Sequence, residues 1–411
     1  MHDHDDSRDD SPRTRRRPFL SAAGASVVGI AGLAGCLGDE NGDDSGSGGN
    51  GGGDDHDDDH DHGPGSVADA DPMNQPVDPS GVSWDDLGDL EGTLTIYSGR
   101  TPDQIDLVFE QLEQRYDGLT IARNYDDNDA QVNSLVQEGD ATPADVFYSQ
   151  DPGALNAVAD EGLTQALPED VVDTVPGSYR SPDGQWSGVS GRVRSIFYNS
   201  DRLDETPFDS WDELPTDIIS YAEDDRFNGI ISTRPNSGTF RGFIQAMVER
   251  KGEDTTRRWV RDFMDHDPTL YGSGSTQAVE VNRGGDDDPI VGLGNSYYAA
   301  RILNEDPDAP IRVAFTEGDA GALFSVAGIC ATANVDDPEL VAEFARHMVA
   351  VEGQEFMMDD NGEFPVVEGV DYVGDLPGPD ELDSPEFDLT SFDTELQEAN
   401  DLLEDEGMMP L

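Results

Sequence analysis

The sequence predicts an α/β fold arranged as two lobes, with a largely parallel sheet. Three observations carry that expectation. The stretch 93–149 alternates strand, helix, strand, helix, strand. Two later stretches, 230–252 and 289–303, each read as strand, small-residue turn and helix. The portion of globular composition runs from about Glu91 to the end, roughly 320 residues, a length that usually divides into two lobes.

Taken in order, 93-TLTIYSG-99 is a strand that passes through Arg100-Thr101-Pro102 into an amphipathic helix over 103–118. A strand over 119–125, a helix over 129–142 and a strand over 144–149 follow. Open α/β sheets bind ligands at the carboxyl ends of their strands, so loops 98–102 and 149–153 are candidate ligand loops. The apolar strand 193-VRSIFYNS-200 leaves the first lobe. In 230–252, Asn236-Ser237-Gly238-Thr239 precedes an apolar helix, which makes it both a helix start and a potential anion nest of backbone N–H groups. A helix over 254–266 comes next, then 289-PIVGLGNSYYAARIL-303. The apolar run 321–333 returns to the first lobe, and helices near 338–352 and 388–405 close the chain.

Within GNSYYAAR, Tyr297 and Tyr298 are adjacent at a helix start. Neighbouring helical side chains point about 100° apart, so one apolar face uses only one of them. Either one tyrosine is core and the other surface, or both face a cleft.

The formal net charge is −65, from 24 Lys+Arg against 89 Asp+Glu, and Lys251 is the only lysine. The acid is spread through segments with ordinary apolar periodicity, such as 338-PELVAEFARHMVAV-351. That pattern fits a folded protein coated in carboxylates. A halophilic setting accounts for it, since molar salt screens surface repulsion over roughly 3 Å and Asp and Glu favour solubility. Direct nucleic-acid binding is not expected, because there is no basic face.

The first 36 residues read as a targeting segment. Arg16-Arg17-x-Phe19-Leu20 is a twin-arginine pattern, followed by 21-SAAGASVVGIAGLAG-35, a run short for a membrane span and suited to a signal. Leu33-Ala34-Gly35-Cys36 resembles the lipobox of exported lipoproteins, with Cys36 the lipidated residue; the alternative is an uncleaved anchor helix. Residues 37–90 read as a disordered acidic tether. Its 54-DDHDDDHDHG-63 offers His56, His60 and His62 as loose metal donors, or is a solvated linker. Cys330, the other cysteine, sits in an apolar run and reads as a buried small hydrophobe, so no disulfide is expected.

From Thr93 onward the chain resembles the periplasmic ferric-iron-binding proteins of ABC importers, here of haloarchaeal lipoprotein type. The stretches that carry the resemblance are 96-IYSGR-100, 143-PADVFYSQDPGAL-155, 190-SGRVRSIFYNSDRL-203, 235-PNSGTF-240, 294-GNSYYAA-300 and 351-VEGQEFM-357, in the family's order. The resemblance implies a two-lobed type II periplasmic binding protein fold. It puts 91–192 plus 322–372 in lobe 1 and 193–321 plus 373–411 in lobe 2, with closure over Fe³⁺. It assigns the metal-binding tyrosines to Tyr297 and Tyr298, with Tyr198 as a third; the alternative for Tyr198 is a core strand residue. Fe³⁺ is a hard cation, and a phenol with an ordinary pKa near 10 loses its proton on such a metal.

The chain departs from well-known members at Thr101, Pro102 and Gln150, where relatives place His, Tyr and Glu. His266 and His347, the histidines of the mature lobes, read as helix-surface residues. A synergistic anion is therefore expected. It is carbonate on Arg100 and Arg192, or phosphate on Ser237, Gly238 and Thr239. For Arg100, Arg192 and Arg194 the alternative is surface ion pairing; for 237–239 it is simple helix capping. Thr101, Gln150, Asp151 and Asn295 are further candidate cleft contacts.

The expected protein is thus an exported, lipid-anchored monomer that hands iron to a membrane permease. The competing reading keeps the fold and changes the cargo to thiamine, a polyamine or an inorganic anion. An enzyme is not expected: GxSxG, HExxH, P-loop and strand-linked GxGxxG motifs are all missing, and no His lies near a candidate Ser.

Overall fold

The computed structural model describes residues 81–409, apart from 368, 369, 371, 373, 375, 379, 380, 386, 388 and 390–396. The twin-arginine segment, Cys36 and the His/Asp-rich stretch 54–63 lie outside the described residues.

β1 (Gly92–Ser98), α1 (Pro102–Arg115), β2 (Leu119–Tyr125), α2 (Asn128–Glu138) and β3 (Val146–Ser149) form the alternating run. β1 pairs in parallel with both β2 and β3. α1 forms because Pro102 presets its first turn and Ile105, Val108, Phe109 and Leu112 recur on one buried face. Next come α3 (Pro152–Asp160), β4 (Thr164–Gln165), α4 (Glu169–Val172) and the long strand β5 (Ser187–Asn199). After β5 come α5 (Ser220–Glu223), β6 (Ile231–Thr233), α6 (Gly238–Lys251), α7 (Glu253–Asp265) and β7 (Thr269–Leu270). α8 (Gly274–Arg283), β8 (Val291–Asn295), α9 (Ser296–Glu305) and β9 (Ile311–Ala314) follow. β10 (Phe324–Thr332), α10 (Pro338–Val349), α11 (Val351–Asp359) and α12 (Gln397–Asp405) end the order.

The strand order is β2-β1-β3-β10-β5-β8-β6-β7, with β4 also on β10 and β9 also on β5. β5 carries the chain from one half of this arrangement to the other. Its first part, 187–193, runs antiparallel to β10, and its second part, 194–199, pairs with β8 and β9. α10 and α11 pack on the β1–β10 side, and α12 packs on α6 and α7.

Sequence reasoning placed the start of this strand at Val193, six residues late. Its first residues, Ser187-Gly188-Val189-Ser190-Gly191, look like a turn. Packing explains the glycine at 191: a Cβ there would sit 2.2 Å from the Phe324 ring.

Two further expectations are corrected. The folded part starts before Glu91, because Trp84 is 2% exposed and its Nε1–H donates to the His347 carbonyl at 2.8 Å. The Trp84 backbone N–H also donates to Glu352 Oε2 at 2.9 Å. Both lobe histidines are buried rather than on the surface. His347 shares the inner face of α10 with Phe344 and Met348, and its Nε2 lies 2.8 Å from the Tyr116 hydroxyl. Burial lowers its pKa from the ordinary value. His266 caps α7, with Nδ1 2.6 Å from Asn228 Oδ1.

Cys330 is free and buried, as expected, and burial pushes its thiol up to about 12. Among the described residues no helix is long and apolar enough to cross a membrane.

Truncating Trp84 to alanine is expected to cost about 3–5 kcal/mol of stability. A chain begun at Glu91 should show a comparable loss in its denaturant midpoint, since it lacks the same contact.

Candidate functional site

β8 ends at Asn295, which starts α9, so Tyr297 and Tyr298 both fall in the first helical turn. Their ring centroids lie 4.1 Å apart at 38°. Tyr297 is 3% exposed, while Tyr298 is half-buried against Phe197 and α8. The Tyr298 ring lies directly over Gly274, where a Cβ would come within 2.3 Å of Cε2. The two rings therefore pack against each other at the start of α9, and neither is among the residues that line the cavity described below. Burial pushes the Tyr297 phenol well above its ordinary value, and the neighbouring Tyr298 adds to this. Arg192 pulls it the other way, and Glu363 pushes it up further.

The wall facing the tyrosines is set by β5. Side chains two apart on a strand share a face, so Ser190, Arg192 and Arg194 point the same way. Arg192 and Arg194 are 2% and 5% exposed. Neither has a carboxylate partner among the described residues. Arg192 donates one long bond, 3.5 Å, to the Val326 carbonyl, and its Nε has no partner. Arg194 packs over the Phe240 and Phe243 rings at 5.1 and 5.3 Å. Burial lowers its guanidinium to about 9, with the Tyr298 hydroxyl acting in the opposite sense. The surface-ion-pair expectation for these two arginines is therefore replaced by two buried, uncompensated cations. Burying an unpaired cation is costly.

Both arginines line one cavity with Asp151, Pro152, Gly153, Gly238, Thr239, Gly242, Asn295, Leu323 and Ser325. Asn295 Nδ2 donates to Thr239 Oγ1 at 3.1 Å, and its Oδ1 has no partner. Ser237 caps α6 by accepting from the Phe240 N–H at 3.1 Å. This leaves the Gly238 and Thr239 N–H groups of the first turn without intrahelical partners. Gly238 also allows a close approach from the opposite wall, since a Cβ there would lie 2.8 Å from Asp151 Oδ2.

Among the other expected site residues, Asp151 lines this cavity, whereas Tyr198, Arg100, Thr101 and Gln150 are not among its lining residues. Tyr198 pairs with Val291, at the opposite end of β8 from the tyrosine pair, and its ring packs on Trp211 at 4.5 Å. It lies four residues beyond Arg194, roughly 13 Å along the strand, and so is not part of this cluster. Arg100 is not available to an anion. One of its Nη atoms donates to both Glu363 oxygens, at 3.1 and 3.0 Å, and the other donates to Ser190 Oγ at 3.3 Å. Thr101 starts α1 and accepts from Gln104 N–H at its carbonyl. Gln150 is half-buried, with its N–H donating to Asn128 Oδ1. Asp151 caps α3 by accepting from Ala154 N–H at 3.0 Å.

Two residues were missed as site residues. Arg194 was legible from the two-residue period after Arg192. Glu363 carries no local signal, because only tertiary structure brings it to Arg100. Among the described residues no group of three or more His, Cys, Asp or Glu gathers as a metal site.

Residues 141–383 match the family described as bacterial extracellular solute-binding protein. The chain belongs to that family. Its members bind solutes for transport rather than transform them. This solute-binding protein is 26% identical over 321 residues to the major ferric iron-binding protein of Neisseria meningitidis, covering 77% of this chain and 93% of that one. It superposes on iron-bound HitA from Pseudomonas aeruginosa with a TM-score of 0.70 at 24% identity, covering 77% and 99% of the two chains. It also superposes on the Trichodesmium protein IdiA (FutA) in complex with iron and citrate, with a TM-score of 0.63 at 24% identity, covering 77% and 100%. These likenesses establish the fold as the two-lobed type II periplasmic binding protein fold.

Proposed function

We propose that this solute-binding protein captures Fe³⁺ through the Tyr297 and Tyr298 phenolates together with a synergistic anion, and delivers it to an ABC importer permease. The observation that carries the reading is the packed Tyr297–Tyr298 pair at the start of α9, whose hydroxyls feel the charges of two buried arginines, Arg192 and Arg194, that have no carboxylate partner among the described residues. A hard trivalent cation prefers anionic oxygen, and bound to phenol it displaces the proton. Two phenolates leave one positive charge on Fe³⁺, and an anion held by Arg192, Arg194, Thr239 and the α6 N-terminus more than neutralises it. Planar carbonate suits two adjacent guanidinium groups; phosphate is the alternative. With Tyr198 remote, the protein contributes two phenolates rather than three. The relatives named for ferric iron support this cargo. Export by the twin-arginine segment, lipid anchoring at Cys36 outside the membrane and a monomeric state complete the proposal.

The two unpaired arginines disfavour thiamine and polyamines, whose positive charge they would repel. They favour one second reading, in which the cargo is itself a small inorganic anion such as phosphate or sulfate. The fold alone does not decide between these.

A thermal-shift comparison separates them. Ferric iron with bicarbonate is expected to raise the melting temperature, whereas phosphate or sulfate alone is not. A ligand at 1,000 times its Kd adds about 4 kcal/mol, so the shift is easily read. Arg194→Met is expected to remove the bicarbonate dependence while leaving weaker iron binding in place. A large shift with sulfate or phosphate alone, unaffected by iron, would establish the anion reading instead.

A further inference from the structure

Glu363 is a buried carboxylate paired with Arg100 behind the arginine-bearing strand β5, and nothing in its sequence neighbourhood announces it. It is 1% exposed. It accepts from Arg100 with both oxygens and from Ser190 Oγ at 2.7 Å. Its position is locked on both sides. Phe364 and Gly191 exchange two backbone hydrogen bonds of 2.7 Å, which fastens the segment to β5. Gly362 packs against α9, where a Cβ would lie 2.7 Å from Ala300 Cβ and 3.3 Å from the Tyr297 carbonyl. Its φ of +65° is one that glycine adopts readily. The segment is thus wedged between the arginine-bearing strand and the tyrosine-bearing helix. The Arg100 guanidinium that it neutralises sits over the Tyr148 ring at 5.4 Å. The charges of Glu363 and Arg100 both reach the Tyr297 hydroxyl.

We propose that Glu363 is a specificity-determining residue for the valence of the cargo, acting through charge and through Arg100 rather than by touching the metal. This rests on the iron reading above. Arg192 and Arg194 are needed for the anion; a third free cation, Arg100, would oppose any metal ion. Glu363 cancels it. The interaction of a fixed charge with an ion is proportional to the ion's charge, so the cancellation favours Fe³⁺ over Fe²⁺ in the ratio of their charges. The carboxylate therefore does two things: it keeps the arginine wall from repelling iron, and it biases the site toward the oxidised ion.

The test is a charge cycle read by affinity and by the reduction potential of the bound iron. Glu363→Gln keeps the shape and frees Arg100. It is expected to weaken Fe³⁺ binding roughly tenfold or more, in line with the loss of a partner outside the coordination sphere. Fe²⁺ binding should weaken less, and the potential of the bound iron should shift positive. Adding Arg100→Gln restores the charge balance, so the double variant should regain affinity and potential toward wild type.

A double variant that is worse than the single, with an unmoved potential, would show that the pair is structural only and would overturn the proposal. So would a single variant with wild-type affinity and potential. If the wild-type protein itself binds iron without a tyrosinate absorption band, the underlying iron reading fails instead, and the two failures are distinguishable.

Discussion

The double replacement of Tyr297 and Tyr298 by phenylalanine is expected to abolish coloured iron binding while leaving the folded protein intact. The fold tolerates the change because each replacement removes only a hydroxyl from a ring that keeps its packing. For Tyr297 those contacts are the neighbouring Tyr298 ring and the buried start of α9, and for Tyr298 they are Phe197 and the α8 surface. On the proposed reading the metal does not tolerate it, because these two oxygens are its phenolate donors. Outer-shell partners of a metal commonly contribute about 10- to 100-fold in affinity; loss of a direct phenolate should exceed about 100-fold for each single variant. Equilibrium dialysis against a ferric buffer measures the affinity, and the visible spectrum reports the phenolate-to-iron transition. Tyr198→Phe is the matched control. Sequence resemblance makes it a ligand, whereas its place beside Trp211 predicts wild-type colour and affinity.

The second large effect is on pH. Burial and the adjacent Tyr298 hold the Tyr297 phenol protonated above its ordinary value when no metal is bound. Iron must therefore displace protons. Ligands that deprotonate on binding make metal affinity rise with pH. The sign follows directly: acidification favours the metal-free, protonated phenols and releases iron, and alkalinisation favours capture. Each phenol that ionises on the metal contributes about a tenfold gain per pH unit, so two give roughly a hundredfold. Protons released per iron, counted in a pH-stat, should fall by about one in Tyr297→Phe. That difference holds whether or not bicarbonate loses a further proton on becoming carbonate. An unchanged proton count in the variant would exclude Tyr297 as an ionising ligand.

How much of this was legible depended on whether a feature is local. The β1–β3 alternation, the α6 cap at Ser237 and the tyrosine pair at the start of α9 are written in residues adjacent in sequence, and they appear where the pattern places them. The start of β5 was hidden because Gly188 and Gly191 serve inter-strand packing yet look like turn residues. His347 read as surface because its polarity outweighed its spacing from Phe344, and Trp84 was assigned to the tether by the composition around it. The arginine roles were the least legible. Resemblance and loop position favoured Arg100 as the anion fork, but its partner is Glu363, more than two hundred and fifty residues away in sequence. Without that contact, no pattern in the chain distinguishes the neutralised arginine from the two left free. The cleft's dependence on Gly238 and Gly274 is likewise a tertiary fact, since each is small because of what approaches it from elsewhere.

The central claim is that two adjacent phenolates hold Fe³⁺. Its most direct test is an optical titration of the wild-type protein with ferric iron in bicarbonate, with iron determined by elemental analysis on the same sample. The account predicts a visible phenolate-to-iron absorption band that saturates at one iron per chain and is lost in Tyr297→Phe/Tyr298→Phe. Saturable iron binding without that band, or a band that persists in the double variant, would contradict it.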